Sequence, residues 1–141
     1  MNMKYLSIIL FFIFYSTINA QSIIGEWETI DDVTGDKLSV VEIYKTGEQY
    51  FGKITQLFKD PIDSVCDMCE GDNYNKPVIG LVIIENLIED DDEFNDGTVL
   101  DPNNGKTYKC YLELEGNNKL KLRGYIGISL IGRTQYWQRK I

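Results

Sequence analysis

The chain has 141 residues, 43% hydrophobic and 26% charged, an ordinary globular balance with room for one domain. It carries 14 basic against 22 acidic residues, so phosphate backbones and anionic lipid surfaces repel it, and nucleic acid is not an expected partner. There is no histidine, which removes Ser-His-Asp triads, Cys-His pairs, imidazole metal sites and the usual near-neutral proton shuttle.

Residues 1–20, MNMKYLSIILFFIFYSTINA, have one lysine, an apolar run from Tyr5 to about Ile18, and Asn19-Ala20 before Gln21. That pattern predicts a secretory signal peptide cleaved after Ala20. A transmembrane anchor needs a longer apolar run, ~20 residues, and this stretch is interrupted by polar residues at its end. Gln21 is not a cysteine, so no lipid attaches at the new N-terminus. The expectation is an exported protein, periplasmic or extracellular, with 121 residues and no stable membrane insertion. Losing Lys4 leaves 13 basic and 22 acidic residues, a net charge of −9.

From Gln21 onward, short apolar or aromatic segments are each closed by Gly, Asn or Asp. They fall near 24–31, 37–45, 49–58, 78–86, 93–101, 106–115, 119–125 and 129–139. Their length and their Val, Ile, Tyr and Thr content favour strands. Thr34-Gly35, Thr46-Gly47, Asn104-Gly105 and Gly116-Asn117-Asn118 supply hairpin chemistry between them. Alternation is clearest late in the chain. Leu120, Leu122 and Gly124 share one face opposite Lys119, Lys121 and Arg123, and Tyr108, Cys110, Leu112 and Leu114 oppose Lys109, Tyr111, Glu113 and Glu115. One wet and one dry face imply antiparallel pairing. Segment 78–88 is apolar on both faces, and a short helix there is the alternative.

Eight consecutive strands with no helix to cover a sheet hide their edges best by closing into an up-and-down antiparallel barrel. A barrel of eight strands is filled by side chains or holds one small ligand. A two-sheet sandwich is the second architecture the pattern allows.

The ordered motifs Gly25-x-Trp27, Gly52-Lys53-Ile54, Cys66-x-x-Cys69-x-Gly71, Lys76-Pro77-x-Ile79-Gly80, Gly97-x-x-Leu100-Asp101-Pro102-x-Asn104-Gly105-Lys106-x-Tyr108-x-Cys110 and Arg123-Gly124-Tyr125-x-Gly127, running into Gly132-Arg133-Thr134-Gln135-x-Trp137, span nearly all of residues 21–141. The chain thereby resembles a secreted bacterial family known as domain of unknown function 2147. The resemblance implies a lipocalin-like barrel and supplies no activity. Lipocalin and fatty-acid-binding barrels often open with Gly-x-Trp and close with an arginine packed across that tryptophan. By that likeness Arg133 or Arg139 would cover Trp27.

Cys66-Asp67-Met68-Cys69 has redox spacing, but Asp63, Asp67, Glu70 and Asp72 around it oppose thiolate formation, and no strand-to-helix context accompanies it. A structural disulfide is the better reading. Cys66–Cys69 is the favoured pair, with a bond from Cys110 to either loop cysteine left open. Zinc would need four ligands from three cysteines and a carboxylate, so no metal is expected. Glu89–Glu93 lacks the ligand spacing of a calcium loop and reads as a solvated hairpin turn. No cofactor and no catalytic constellation are implied.

The last segment is the informative one. Arg133, Gln135, Trp137 and Arg139 share one face, and neither face is plainly apolar. A barrel strand must point one set inward. If Arg133 and Gln135 do so, the guanidinium needs an anionic partner. A ligand carboxylate or phosphate would serve, with Trp137 and Trp27 as apolar walls; otherwise Arg133 stacks on Trp27. The function expected is non-enzymatic binding of a small apolar or amphiphilic molecule, and the alternative is an interaction module with a filled barrel.

Overall fold

The computed structural model describes residues 22–141. The leader expected at 1–20 lies outside these residues. Eight strands form in chain order: β1 (Gly25–Ile30), β2 (Lys37–Thr46), β3 (Gln49–Leu57), β4 (Val82–Asp90), β5 (Glu93–Asp101), β6 (Lys106–Glu115), β7 (Lys119–Tyr125) and β8 (Gly132–Arg139). Each pairs antiparallel with the next and β8 returns to β1, giving a closed up-and-down barrel. The sandwich is not formed, and neither is a helix over 78–88.

Cross-strand register sets which side chains fill the interior. Leu120, Leu122 and Gly124 of β7 stand opposite Trp137, Gln135 and Arg133 of β8. On their other side they meet Leu114, Leu112 and Cys110 of β6. Because the side-chain period is two, all of these share the inward face. Trp27, Val41, Ile43, Ile84, Leu87, Leu112 and Leu120 are fully or almost fully buried and belong to one continuous core. The outward face of β6 and β7 is charged, with Glu113 opposite Lys121 and Glu115 opposite Lys119.

The two ends differ. At one, the strands are joined by tight turns at residues 47–48, 91–92 and 116–118. At the other, longer connections span 31–36, 58–81, 102–105 and 126–131. The tight end is a sealed floor. Trp27 donates its indole N–H to the Ile23 carbonyl at 2.8 Å, and the Arg139 guanidinium lies 4.3 Å from its ring centroid. Arg139 also donates to the carbonyls of Asn117 (2.8 Å), Ile24 (3.3 Å) and Ser22 (2.8 Å), so one side chain ties together the β6–β7 turn and the chain leading into β1.

At the looped end, residues 58–81 carry a Cys66–Cys69 disulfide, while Cys110 is a free, buried thiol. Cys66, Cys69, Val78 and Leu81 are buried and join the barrel core, so this long loop roofs part of the interior. It rests on the β5–β6 turn. Cys66 Sγ sits 3.6 Å from the Pro102 carbonyl oxygen, and a Cβ built on Gly105 would come within 1.8 Å of the Met68 carbonyl oxygen.

Candidate ligand-binding site

The inward face of β8 changes character along its length. Trp137, next to the floor, is 3% exposed; Gln135 is half-buried; Arg133 stands at the looped end with 63% of its side chain in solvent. Of the two faces the alternation left open, register places Arg133 and Gln135 on the one that carries Trp137. Their surroundings differ from expectation. Arg133 does not stack on Trp27: that contact belongs to Arg139, its cross-strand partner at the floor. Arg133 lies six residues away along β8, about 20 Å at strand spacing. Trp27 and Arg133 therefore sit at opposite ends of the barrel, and Trp27 is part of the floor.

Arg133 instead holds Asp32 of the β1–β2 loop in a forked ion pair, with Nε donating to Oδ2 at 3.1 Å and the second nitrogen to Oδ1. The hydrogen bond from Arg133 keeps the Asp32 carboxyl below the usual carboxylate range. Asp31 is lowered as well, by the backbone N–H groups of Thr34 and Val33, and Asp36 by Lys59. These local bonds follow from Asp and Thr in a short turn, where a side-chain oxygen caps nearby N–H groups.

The ion pair crosses a weak seam. β1 and β8 are paired only at Trp27–Arg139 and Glu28–Gln138, and toward the looped end they part. A recess of about 570 Å³ runs along the outer wall of this seam, between Ile30 and residues 31–35 on one side and the outward-facing Thr134, Tyr136, Gln138 and Lys119 on the other, with Gln135 reaching its edge from the inward face. On the inward face of β8, away from this recess, Trp137 Nε1 is buried with no hydrogen-bond acceptor. An unsatisfied buried donor costs about 1–3 kcal/mol relative to a paired one.

The remaining candidates resolve simply. Cys66 and Cys69 are joined, and both are buried. Burial pushes the Cys110 thiol up to about 12, so it is inert at neutral pH. Among the described residues, no group of three or more His, Cys, Asp or Glu side chains is placed to hold a metal. No helix among them is long and apolar enough to cross a membrane. The sequence alone did not point to Asp32, which lies 101 residues from its partner.

A closed eight-stranded barrel with tight turns at one end and long loops at the other is lipocalin-like in architecture. A solved structure titled "Protein HP1028 from the human pathogen Helicobacter pylori belongs to the lipocalin family" is similar to it, at a TM-score of 0.76 and 17% identity over 85% of this chain and 84% of that one. The chain belongs to the bacterial family described as "Uncharacterized protein conserved in bacteria (DUF2147)", whose model matches residues 25–139. No curated protein matches it.

Proposed function

We propose that the protein is exported after removal of residues 1–20 and binds one small amphiphilic molecule at the looped end of its barrel, without catalysing a reaction on it. The observation that carries this reading is the polarity step along β8, from a buried indole through a half-buried amide to an exposed guanidinium. Such a gradient matches a molecule with an apolar body and an anionic head. The apolar part lies toward Trp137, the most buried residue of the strand. A carboxylate or phosphate head takes the Arg133 fork, displacing Asp32, while Gln135 donates its amide. Trp27 contributes the floor beneath. The lipocalin-like fold and a disulfide suited to an oxidising compartment support the reading.

Titration with a long-chain fatty acid and with an alkyl phosphate, followed by tryptophan fluorescence, tests it. Saturable binding is expected, weakened at least tenfold by Arg133→Leu and strengthened a few-fold by Asp32→Asn, which frees the fork. No saturable binding of either probe, together with no small molecule released from purified protein in denaturing mass spectrometry, overturns it. One observation favours the filled-barrel alternative: Ile84, Leu87, Leu112 and Leu120 are fully buried by other side chains in one continuous core. That null result would select it. N-terminal mass analysis tests export separately: a mature chain beginning at Gln21 is expected, and an intact Met1 in the membrane fraction refutes cleavage.

A further inference from the structure

The β7–β8 connection, residues 126–131, reads Ile-Gly-Ile-Ser-Leu-Ile and contains no charge. Its four large aliphatic side chains all face solvent: Ile126 is 67% exposed, Ile128 58%, Leu130 84% and Ile131 63%. Single exposed aliphatics are ordinary, but four within six residues at a loop tip are a patch that water disfavours. The loops beside it at the same end add Val33 and Ile62, both more than four-fifths exposed.

The carbonyls of this tip are mostly paired within the protein. Ile126 N–H donates to Ile131 O (3.0 Å), Ile128 N–H to Ile126 O (2.9 Å) and Ile131 N–H to Ile128 O (3.0 Å). The Arg123 guanidinium, on the outward face of β7, covers two more carbonyls. Nε and one terminal nitrogen donate to Ser129 O at 3.0 and 2.9 Å, and that nitrogen also reaches Leu130 O at 3.4 Å. Its other terminal nitrogen donates to Thr134 Oγ1 at 3.0 Å, anchoring the clamp to β8. Five of the six carbonyls in residues 126–131 thus have donors within the protein, and the N–H groups of Ile126, Ile128 and Ile131 have acceptors, while those of Gly127, Ser129 and Leu130 are left to the surroundings. Irregular backbone enters a water-poor phase only when its polar groups are already paired. With most carbonyls covered and three N–H groups still needing acceptors, the tip suits the hydrated headgroup layer, whose phosphate and ester oxygens can take those N–H groups, and not the hydrocarbon core.

From this combination we infer that the β7–β8 tip docks the looped end of the barrel onto a zwitterionic phospholipid surface, inserting Ile128 and Leu130 among the headgroups. The charge distribution selects that surface. The tip is neutral, while the neighbouring loops carry Asp31, Asp32, Asp60, Asp63 and Asp67, which an anionic bilayer would repel. A second copy of the chain is a poorer occupant. A stable interface takes roughly 20–30 residues a side, and six projecting residues bordered by carboxylates do not supply it. Docking in this orientation would bring Arg133 at the looped end of β8 next to the lipid, although the inference stands without any ligand in the barrel.

Flotation of purified, ligand-stripped protein with vesicles of phosphatidylcholine and phosphatidylethanolamine tests it. Wild type is expected to float with the vesicles, less so as phosphatidylglycerol replaces the neutral lipid. Ile128→Asp and Leu130→Asp should each weaken partitioning roughly tenfold, about the worth of one buried aliphatic side chain. Arg123→Gln should weaken it too, with partial rescue by Arg123→Lys, while Ile88→Ser at the opposite end should leave it unchanged. Thermal melts establish that each variant is folded. The inference is overturned if wild type stays in solution, if the aspartate variants float as well as wild type, or if the tip proves to mediate a concentration-dependent dimer that Leu130→Asp abolishes. Because no fatty acid or alkyl phosphate is present, failure here leaves the binding reading untouched, and failure of that reading leaves this one standing.

Discussion

Arg139 and Arg133 lie six residues apart on one face of one strand, yet their substitutions should have very different consequences. Arg139→Met keeps an apolar stem over Trp27 and removes the charged fork. The loss includes a guanidinium 4.3 Å from the ring centroid of a fully buried tryptophan and three hydrogen bonds to carbonyls of the floor. A partly desolvated cation–π contact contributes about 1–2 kcal/mol. The three hydrogen bonds are half-exposed and replaceable by water, so together they add only about 1 kcal/mol. The expected destabilisation is about 2–3 kcal/mol, or a fall in Tm of roughly 8–12 °C for a domain of this size. Arg133→Leu breaks a solvent-exposed ion pair and should move Tm by no more than about 2 °C. Melts followed by tryptophan fluorescence give both numbers. A double-mutant cycle of Arg139→Met with Trp27→Phe should show coupling of about 1 kcal/mol or more. Additive effects, or a fall in Tm of less than 3 °C for Arg139→Met, would refute the assignment of Arg139 as the clamp of the floor.

Thiol counting in material prepared without reductant should find no reactive thiol in the native protein and one after denaturation, namely Cys110; three free thiols would refute the disulfide. Cys66→Ser paired with Cys69→Ser should cost about 2 kcal/mol, the chain-entropy value for so short a loop, read as a lower denaturation midpoint. Gly105→Ala should be more damaging than its surface position suggests, by about 2–3 kcal/mol in urea unfolding. Its φ of +72° is in the left-handed region, and the added Cβ would collide with the Met68 carbonyl oxygen. With no histidine, stability should be flat from about pH 5.5 to 7. Asp31, Asp32 and Asp36 have folded pKa values below their unfolded 3.8, so their stabilisation is present above that pH and lost as pH falls beneath it. Asp32→Asn should flatten the acid limb of the stability profile; an unchanged limb would count against the Arg133 pair.

The barrel was legible because strands alternate and turns advertise themselves. All eight expected segments became strands, and the inward placement of Cys110, Leu112, Leu120 and Leu122 followed from parity alone. Boundaries slipped where apolar residues serve loops. Val78 and Leu81 are buried in the roofing loop, so β4 begins at Val82 and the expected segment 78–86 lay four residues early. Leu130 and Ile131 similarly extended the last segment, whose strand starts at Gly132. The acidic stretch 89–93 is a hairpin, but only Asp91 and Asp92 form its turn, with Asp91 at φ +52°. Glu89, Asp90 and Glu93 are strand residues. Asp32 and Arg123 were beyond reach for a different reason. Their roles depend on which loops meet at one end of a closed barrel, and local pattern does not encode such proximity.

The floor also bears on how the chain is made. Trp27 finds its cover only when Arg139 arrives, 112 residues later, and the β1–β8 seam is the longest-range pairing in the barrel. Contacts between distant residues slow folding, because a large loop must close before any of its contacts forms. A nascent chain stopped anywhere before β8 presents two open strand edges, β1 and the last strand made, each able to pair with a neighbouring chain. The tryptophan that ends up most deeply buried therefore stays uncovered until synthesis is nearly complete. Loss of the final strand would leave an aggregation-prone open sheet in place of a shorter barrel.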